Sequence, residues 1–91
     1  MGFTDGCMVM GSAYYYGREV KKDYAKAREI FSVACNQGDA TGCFLLGSIY
    51  DLGQGVDRDK SKAKKVYSQA CEYGSEMGCK YKNQMTQDGI K

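Results

Sequence analysis

The sequence has no histidine, no proline and no tryptophan. Without imidazole there is no Ser-His-Asp or Cys-His nucleophile system, and most catalytic zinc sites lose their usual ligand. Long apolar runs are missing as well: no stretch approaches the roughly 18 apolar residues of a membrane span. The segment from Met1 to Asp5 lacks a basic start, and Met8-Val9-Met10 is too short for the apolar centre of a signal peptide. If the protein is exported, its signal is expected upstream of this chain. Charge of one sign is scarce: 13 Lys and Arg against 11 Asp and Glu leave a formal net charge of +2. That excess is too small to argue for nucleic acid or an anionic membrane as a partner. At 91 residues, 43% hydrophobic and 26% charged, the chain has the composition of a folded soluble domain. It lies near the size at which a single core is only marginally sufficient.

What the chain does have is five cysteines on a period. The stretch from Ala34 to Cys43 sets Cys35 and Cys43 on either side of a Gly38-Asp39 turn. Moving 36 positions along returns the same frame in Cys71 and Cys79, around Gly74. Moving 36 back places Gly2, Gly6 and Cys7 as the tail of a third copy, in which the partner position of Cys7 falls before Met1. Cys7 is therefore expected to be unpaired, and the N-terminus reads as cut within an inter-repeat turn. The same shift pairs Gly11-Ser12-x-Tyr14 with Gly47-Ser48-x-Tyr50, Gly17 with Gly53, Val20 with Val56 and Asp23 with Asp59. It continues through Lys26-Ala27 with Lys62-Ala63 and Ser32-x-Ala34-Cys35 with Ser68-x-Ala70-Cys71. Repetition of this density at such a period is the signature of stacked supersecondary units.

Within each period the apolar spacing is helical. Cys43, Leu46, Gly47 and Tyr50 stand at i, i+3, i+4 and i+7, and Ala63, Val66, Tyr67 and Ala70 repeat that spacing. Asp23 and Asp59 stand where N-caps belong, and Gly38 and Gly74 follow the second helices where a left-handed residue ends a helix. The spacing predicts five helices, over roughly 4–16, 23–37, 39–52, 59–73 and 75–87. The fold class is all-α: an α/α solenoid of antiparallel helix pairs in one repeat domain, 1–91. Its parts are a first repeat over 1–38, a second over 39–74 and a capping helix over 75–91. Small residues in the stripes (Gly11, Gly47, Ala27, Ala63, Ala34 and Ala70) allow close helix approach. After Cys79, Lys82, Asn83 and Thr86 replace Leu46, Gly47 and Tyr50, the polar end that a solenoid needs.

Leu46-Gly47-x-x-Tyr50, Gly53-x-Gly55-Val56, Asp59, Lys62-Ala63, Val66-Tyr67, Ala70-Cys71 and Gly74 together resemble the Sel-one-like repeat, a tetratricopeptide-like helix pair. With the cysteine frame added, the sequence resembles the Helicobacter cysteine-rich protein family, over nearly its whole length. One departure is Glu19, which stands where Gly55 predicts glycine. The resemblance implies an exported repeat protein with one disulfide per helix pair. It also implies either a protein-binding scaffold or the weak penicillin binding and hydrolysis for which several members are named β-lactamases.

The cysteine pairs Cys35 with Cys43 and Cys71 with Cys79 admit three readings: disulfides, metal ligands or buried thiols. Structural zinc wants four closely spaced ligands, and the sequence has neither histidine nor Cys-x-x-Cys. Disulfides are the expectation, with an oxidising compartment, secreted or periplasmic, as its corollary. No metal and no cofactor are expected. Ser61-Lys62-Ala63-Lys64 matches Ser-x-x-Lys, but six serines and ten lysines make one such match expected by chance. No Ser-Asp-Asn or Lys-Thr-Gly accompanies it. The lysines at 60, 62, 64 and 65 read as a solvated helix face.

The candidate binding surface lies one residue off the buried stripes. It comprises Met8, Ser12, Tyr15 and Tyr16; Phe44, Ser48, Asp51 and Leu52; and Lys80 with Gln84. Aromatic anchors mixed with hydrogen-bonding groups suit an extended peptide or protein segment, the expected ligand. A β-lactam or a cell-wall peptide is the ligand class that the family resemblance adds. The catalytic residues of any hydrolysis are not legible. Exposed apolar surface near Cys7 leads to the further expectation of a homodimer through the N-terminal end.

Overall fold

A computed structural model describes residues 3–90, with side chains from residue 9 onward. The expectations for Cys7 and for the Met8 side chain lie outside the described residues. The chain forms α1 (Phe3–Tyr16), α2 (Tyr24–Asn36), α3 (Ala40–Leu52), α4 (Lys60–Glu72) and α5 (Glu76–Gln87). Each helix packs antiparallel on the next, giving an all-α solenoid 39 × 29 × 16 Å in extent. No helix among the described residues is long and apolar enough to cross a membrane.

Helix ends are set by local chemistry. Asp23 and Asp59 cap α2 and α4, their carboxylates accepting from the backbone N–H of Lys26 at 3.1 Å and of Lys62 at 2.9 Å. Asp39 and Ser75 do the same for α3 and α5, accepting from Gly42 and Gly78. The turns before those helices are one left-handed glycine long. Gly38 and Gly74 have φ of +88° and +108° and donate to the carbonyls of Cys35 and Cys71. The following cap residues, Asp39 and Ser75, donate to Ala34 and Ala70. Carbonyls freed by ending one helix are thus taken up by the glycine and cap residue that start the next.

That compact turn brings the cysteines together. Cys35–Cys43 and Cys71–Cys79 are disulfides with Cα atoms 4.5 Å apart in each case. The bridges staple α2 to α3 and α4 to α5, and so cross the boundary between one 36-residue copy and the next. So close a crossing needs small residues. A methyl group on Gly42 would lie 2.8 Å from Ala34 Cβ, and one on Gly78 2.7 Å from Ala70 Cβ.

Inside each copy the contact is a ring on a glycine. A Cβ on Gly47 would fall 2.7 Å from the Tyr67 ring, and one on Gly11 2.7 Å from the Phe31 ring. The core then closes around Ala27, Phe31, Ala34, Cys35, Cys43, Leu46, Ile49, Ala63, Val66, Tyr67 and Ala70, with Met85 from α5. Ile49 is fully buried although it lies off the expected stripe, and Tyr50, on the stripe, is half-buried. The reason is that α3 is the central helix, covered by α2 on one side and α4 on the other, so a single stripe underdescribes it. Glu19 adopts φ of +62°, the left-handed conformation that Gly55 holds at +75° in the second copy, so the departure at that position leaves the loop geometry intact.

Two outcomes follow for stability. Gly47→Ala should lower the unfolding free energy by about 1–3 kcal/mol, because the added methyl meets a ring that has no free space to retreat into. Urea denaturation measures this, and an unchanged midpoint contradicts the ring-on-glycine packing. Reduction of both bridges should cost about 2–3 kcal/mol each in the chain-entropy account. Peptide mapping of the non-reduced protein should return only Cys35–Cys43 and Cys71–Cys79 for these four cysteines, whereas a Cys43–Cys71 peptide contradicts the register.

Candidate ligand-binding face

The candidate face along α1 and α3 rests on four positions of the repeat, two from those helices and two from the helix that follows each, the last of them buried. Ser12, Tyr15, Tyr24 and Phe31 in the first copy become Ser48, Asp51, Lys60 and Tyr67 in the second. In the first copy the cluster is aromatic. The Tyr15 ring lies 5.5 Å from Tyr24 and 6.1 Å from Phe31, with Tyr16 edge-on to it at 4.9 Å. In the second copy the same places hold a polar network. The Tyr67 hydroxyl donates to Asp51 Oδ2 at 3.2 Å and lies 3.4 Å from Ser48 Oγ, while Lys60 forms an ion pair with Asp51 Oδ1. The two halves are tied together, since the Tyr15 hydroxyl donates to Gln54 Oε1 at 2.7 Å.

Electrostatics follow burial. Loss of water, with the Asp51 carboxylate adding to it, pushes the Tyr67 hydroxyl from the ordinary 10.0 up to about 12, against a smaller opposite effect of Ser48. Asp51 is 16% exposed and Lys60 39% exposed, so the ammonium is the part of the pair that solvent or a ligand meets. Beyond this network Phe44, Tyr67 and Tyr81 form an aromatic group from three helices, with ring centroids 5.4–5.7 Å apart.

Nine of the ten expected surface residues, all but Met8, have described side chains and divide accordingly. Tyr16 and Leu52 are exposed, as are Lys80 and Gln84 on α5. Ser12, Tyr15, Phe44 and Ser48 are half-buried and form the floor. Asp51, read from the sequence as a free hydrogen-bonding group, is instead committed to Tyr67 and Lys60. Tyr15, expected to be exposed, is drawn inward by Gln54 and its aromatic neighbours. Tyr81, Tyr67, Lys60 and Gln54 were not legible as members of this face. Tyr81 occupies the repeat position of Leu45, which packs against the core, and Tyr67 belongs to a core stripe and stays buried there, contributing its hydroxyl to the network beneath the face. The 36-residue shift that pairs Tyr67 with Phe31 was the one signal that could have marked its hydroxyl as an addition.

The basic run is structurally employed. Lys62 lies over the Tyr50 ring at 4.8 Å, and its counterpart Lys26 over Tyr14 at 5.8 Å. Lys64 Nζ donates to the Ile90 carbonyl at 2.7 Å. Ser61 and Lys64 line a shallow depression of about 500 Å³ on the outer side of α4, together with Asp59, Lys62, Lys65 and Ser68. Among the described residues no hydrogen bond joins Ser61 to Lys64.

Antiparallel helix pairs repeating at 36 residues, with ring-on-glycine contacts, define a tetratricopeptide-like α/α repeat protein. The Sel1 repeat family matches residues 4–39 and 40–75, and the chain belongs to that family. No curated protein sequence matches the chain. Among solved structures it is similar to cysteine-rich protein B of Helicobacter pylori, with 38% identity and a TM-score of 0.81 over 86% of this chain and 59% of that one. It is also similar to a Sel1 repeat protein from Oxalobacter formigenes, with 29% identity and a TM-score of 0.85 over 90% and 34% of the two chains. A third neighbour is c5321, a protective antigen present in uropathogenic Escherichia coli strains displaying an SLR fold. It gives 36% identity and a TM-score of 0.94 over 98% of this chain and 19% of that one. The chain thus spans about three fifths, one third and one fifth of these three neighbours.

The tyrosine network carries a pH consequence. A folded pKa above the unfolded value gives stability that is complete below pH 10 and is lost as pH rises towards 12. Spectrophotometric titration of tyrosinate should contain a component near pH 12 that disappears in Tyr67→Phe. That variant should also lose less stability between pH 10 and 12 than the parent. A titration curve identical in parent and variant contradicts the buried network.

Proposed function

We propose that the chain is a secreted or periplasmic repeat module that binds an extended peptide or protein segment on the face lined by α1, α3 and α5. The domain division that goes with this reading is a first repeat over 1–38, a second over 39–74 and a capping helix from 75. The observation that carries the proposal is the pairing of accessible rings with polar groups across successive copies. Tyr16 and Tyr81 offer partly exposed aromatic surface at either end, and Lys60, Gln54, Lys80 and Gln84 offer charge and hydrogen bonding between and beside them. Rigid aromatic anchors beside hydrogen-bonding groups are what an extended segment needs for affinity and register. Sel1 repeats typically serve as protein-interaction modules, which supports the same assignment. The oxidising compartment is supported by the two disulfides and by the similarity to a cysteine-rich protein of Helicobacter pylori.

The alternative from the family resemblance is weak β-lactam hydrolysis. Its sole sequence motif is Ser61 with Lys64, whose ammonium is engaged by the Ile90 carbonyl. A catalytic base must reach the proton that it abstracts. Nitrocefin turnover should therefore be at the buffer level for the oxidised protein, and turnover abolished by Ser61→Ala would restore the enzyme reading.

Binding is tested by panning a random phage-displayed peptide library against the oxidised protein. Selected peptides should bind the double variant Tyr16→Ala with Tyr81→Ser at least about tenfold more weakly. Lys65→Glu on the outer side of α4 should leave them unaffected, and circular dichroism checks that helicity is retained. Peptides that bind the double variant as tightly as the parent would remove this face from consideration.

A further inference from the structure

The small net charge conceals a segregation. Residues 18–28 hold five cations and two carboxylates, and residues 58–65 hold five cations and one. The rest of the chain holds three cations against eight carboxylates. The two basic stretches are related by the 36-residue shift, so both lie around the start of the second helix of a pair, α2 or α4. Arg18, Lys22, Arg58 and Lys60 belong with the ligand face, through Tyr16, Tyr24 and Asp51. That leaves Lys21, Lys26 and Arg28 in the first copy, and Lys62, Lys64 and Lys65 in the second. None of these six is paired with a carboxylate; among the described residues the one ion pair is Lys60 with Asp51.

Helix stability disfavours this placement. The first turn of a helix favours carboxylates, yet neither α2 nor α4 has one there, and Lys26 and Lys62 stand in their place. Lys26 and Lys62 lie over tyrosine rings and Lys64 meets a carbonyl, contacts that hold an ammonium in position and leave its charge uncancelled. Arg28 Nε is buried without a hydrogen-bond partner. Nor does the exposure of these side chains hinge on where the chain starts or stops. Lys26 is exposed on α2 although a whole copy follows it, and Lys62 and Lys65 are exposed on α4 although a whole copy precedes it.

The surroundings select the occupant. The outer side of α4 sets Lys62, Lys64 and Lys65 around a shallow depression in place of a walled groove. A bound peptide wants an apolar anchor, and the exposed neighbours of these cations are Ala25, Glu29 and Ser61. Stacked bases want free aromatic faces, and Tyr14 and Tyr50 are covered by Lys26 and Lys62. Five of the six cations are lysines, compact charges on flexible stems, where recognition of a single phosphate favours the planar fork of arginine. What this face matches is a diffuse layer of negative charge that meets both copies at once.

We infer that the outer side of α2 and α4, where it carries these six cations, is an electrostatic docking surface for the anionic headgroups of a lipid bilayer. The chain rests on the bilayer, and no described helix crosses it. Asp39, Glu72 and Glu76 lie by the cysteine turns, at the opposite edge of the solenoid, and the same headgroups repel them. The docked chain therefore has one orientation.

Co-sedimentation of the oxidised 91-residue chain with large unilamellar vesicles tests this. The chain should bind phosphatidylcholine vesicles that hold about one third phosphatidylglycerol, ignore phosphatidylcholine alone, and come off as salt is raised to about 0.5 M. Lys65→Glu should weaken binding about tenfold or more. Asn83→Glu with Gln87→Glu on α5 lowers the net charge by the same amount and should weaken binding about threefold at most. Glu29→Lys, which gives α2 the lysine that α4 carries at the equivalent position, should tighten binding about tenfold, with helicity checked by circular dichroism in every variant. Equal binding to both vesicle types, equal losses in Lys65→Glu and in the α5 variant, or no gain in Glu29→Lys would each overturn the assignment. So would binding to heparin or single-stranded DNA without binding to the anionic vesicles, which would give the face to a polyanionic chain. Since Lys65→Glu is expected to spare peptide binding, the outcome is independent of the peptide-binding test.

Discussion

The fold depends on how closely its helices can approach. A ring packed against a glycine inside each copy, and an alanine facing a glycine between copies, remove the side-chain thickness that would otherwise hold the helix axes apart. Everything else is downstream of that spacing. The cysteines reach bonding distance because Ala34 faces Gly42 and Ala70 faces Gly78. The tyrosine hydroxyl reaches Asp51 because Gly47 lets its ring pass over α3. In a chain too small for a deep core, close contact of many atoms substitutes for sheer buried volume.

Repetition lets the chain be compared with itself, and the comparison separates scaffold from variation. Positions such as Gly11 with Gly47 and Asp23 with Asp59 perform one task twice and keep their chemistry. Tyr15 with Asp51 and Tyr24 with Lys60 occupy equivalent places and exchange an aromatic wall for an ion pair. A surface assembled in this way varies copy by copy, with the Tyr15–Gln54 hydrogen bond as a link between the copies within it.

Much of this architecture was legible from spacing because its causes are local. The helix ends at Asp23, Asp59, Gly38 and Gly74 are short-range hydrogen-bonding problems, and the cysteine frame follows from the turn between Cys35 and Cys43. Ile49, Tyr81 and the hydroxyl of Tyr67 were not legible, and for a common reason. Whether a residue on a given helix face is buried depends on which neighbour arrives there, and helical period alone does not count the neighbours. Asp51 was misjudged for a related reason: its partners Lys60 and Tyr67 lie 9 and 16 residues away, on another helix. Spacing alone therefore names the helices that carry the candidate surface, while the neighbours of each of its residues emerge only from the packing.

The short turns have a consequence for how the bridges form. Eight positions separate Cys35 from Cys43 and Cys71 from Cys79, whereas 28 separate Cys43 from Cys71. Once a glycine turn and its cap have folded back, each thiol meets its own partner at an effective concentration that a distant thiol cannot match. Correct pairing is then a property of each hairpin and does not await the assembled solenoid. Oxidation can then proceed hairpin by hairpin, with mispairing between Cys43 and Cys71 disfavoured by the longer loop that it must close.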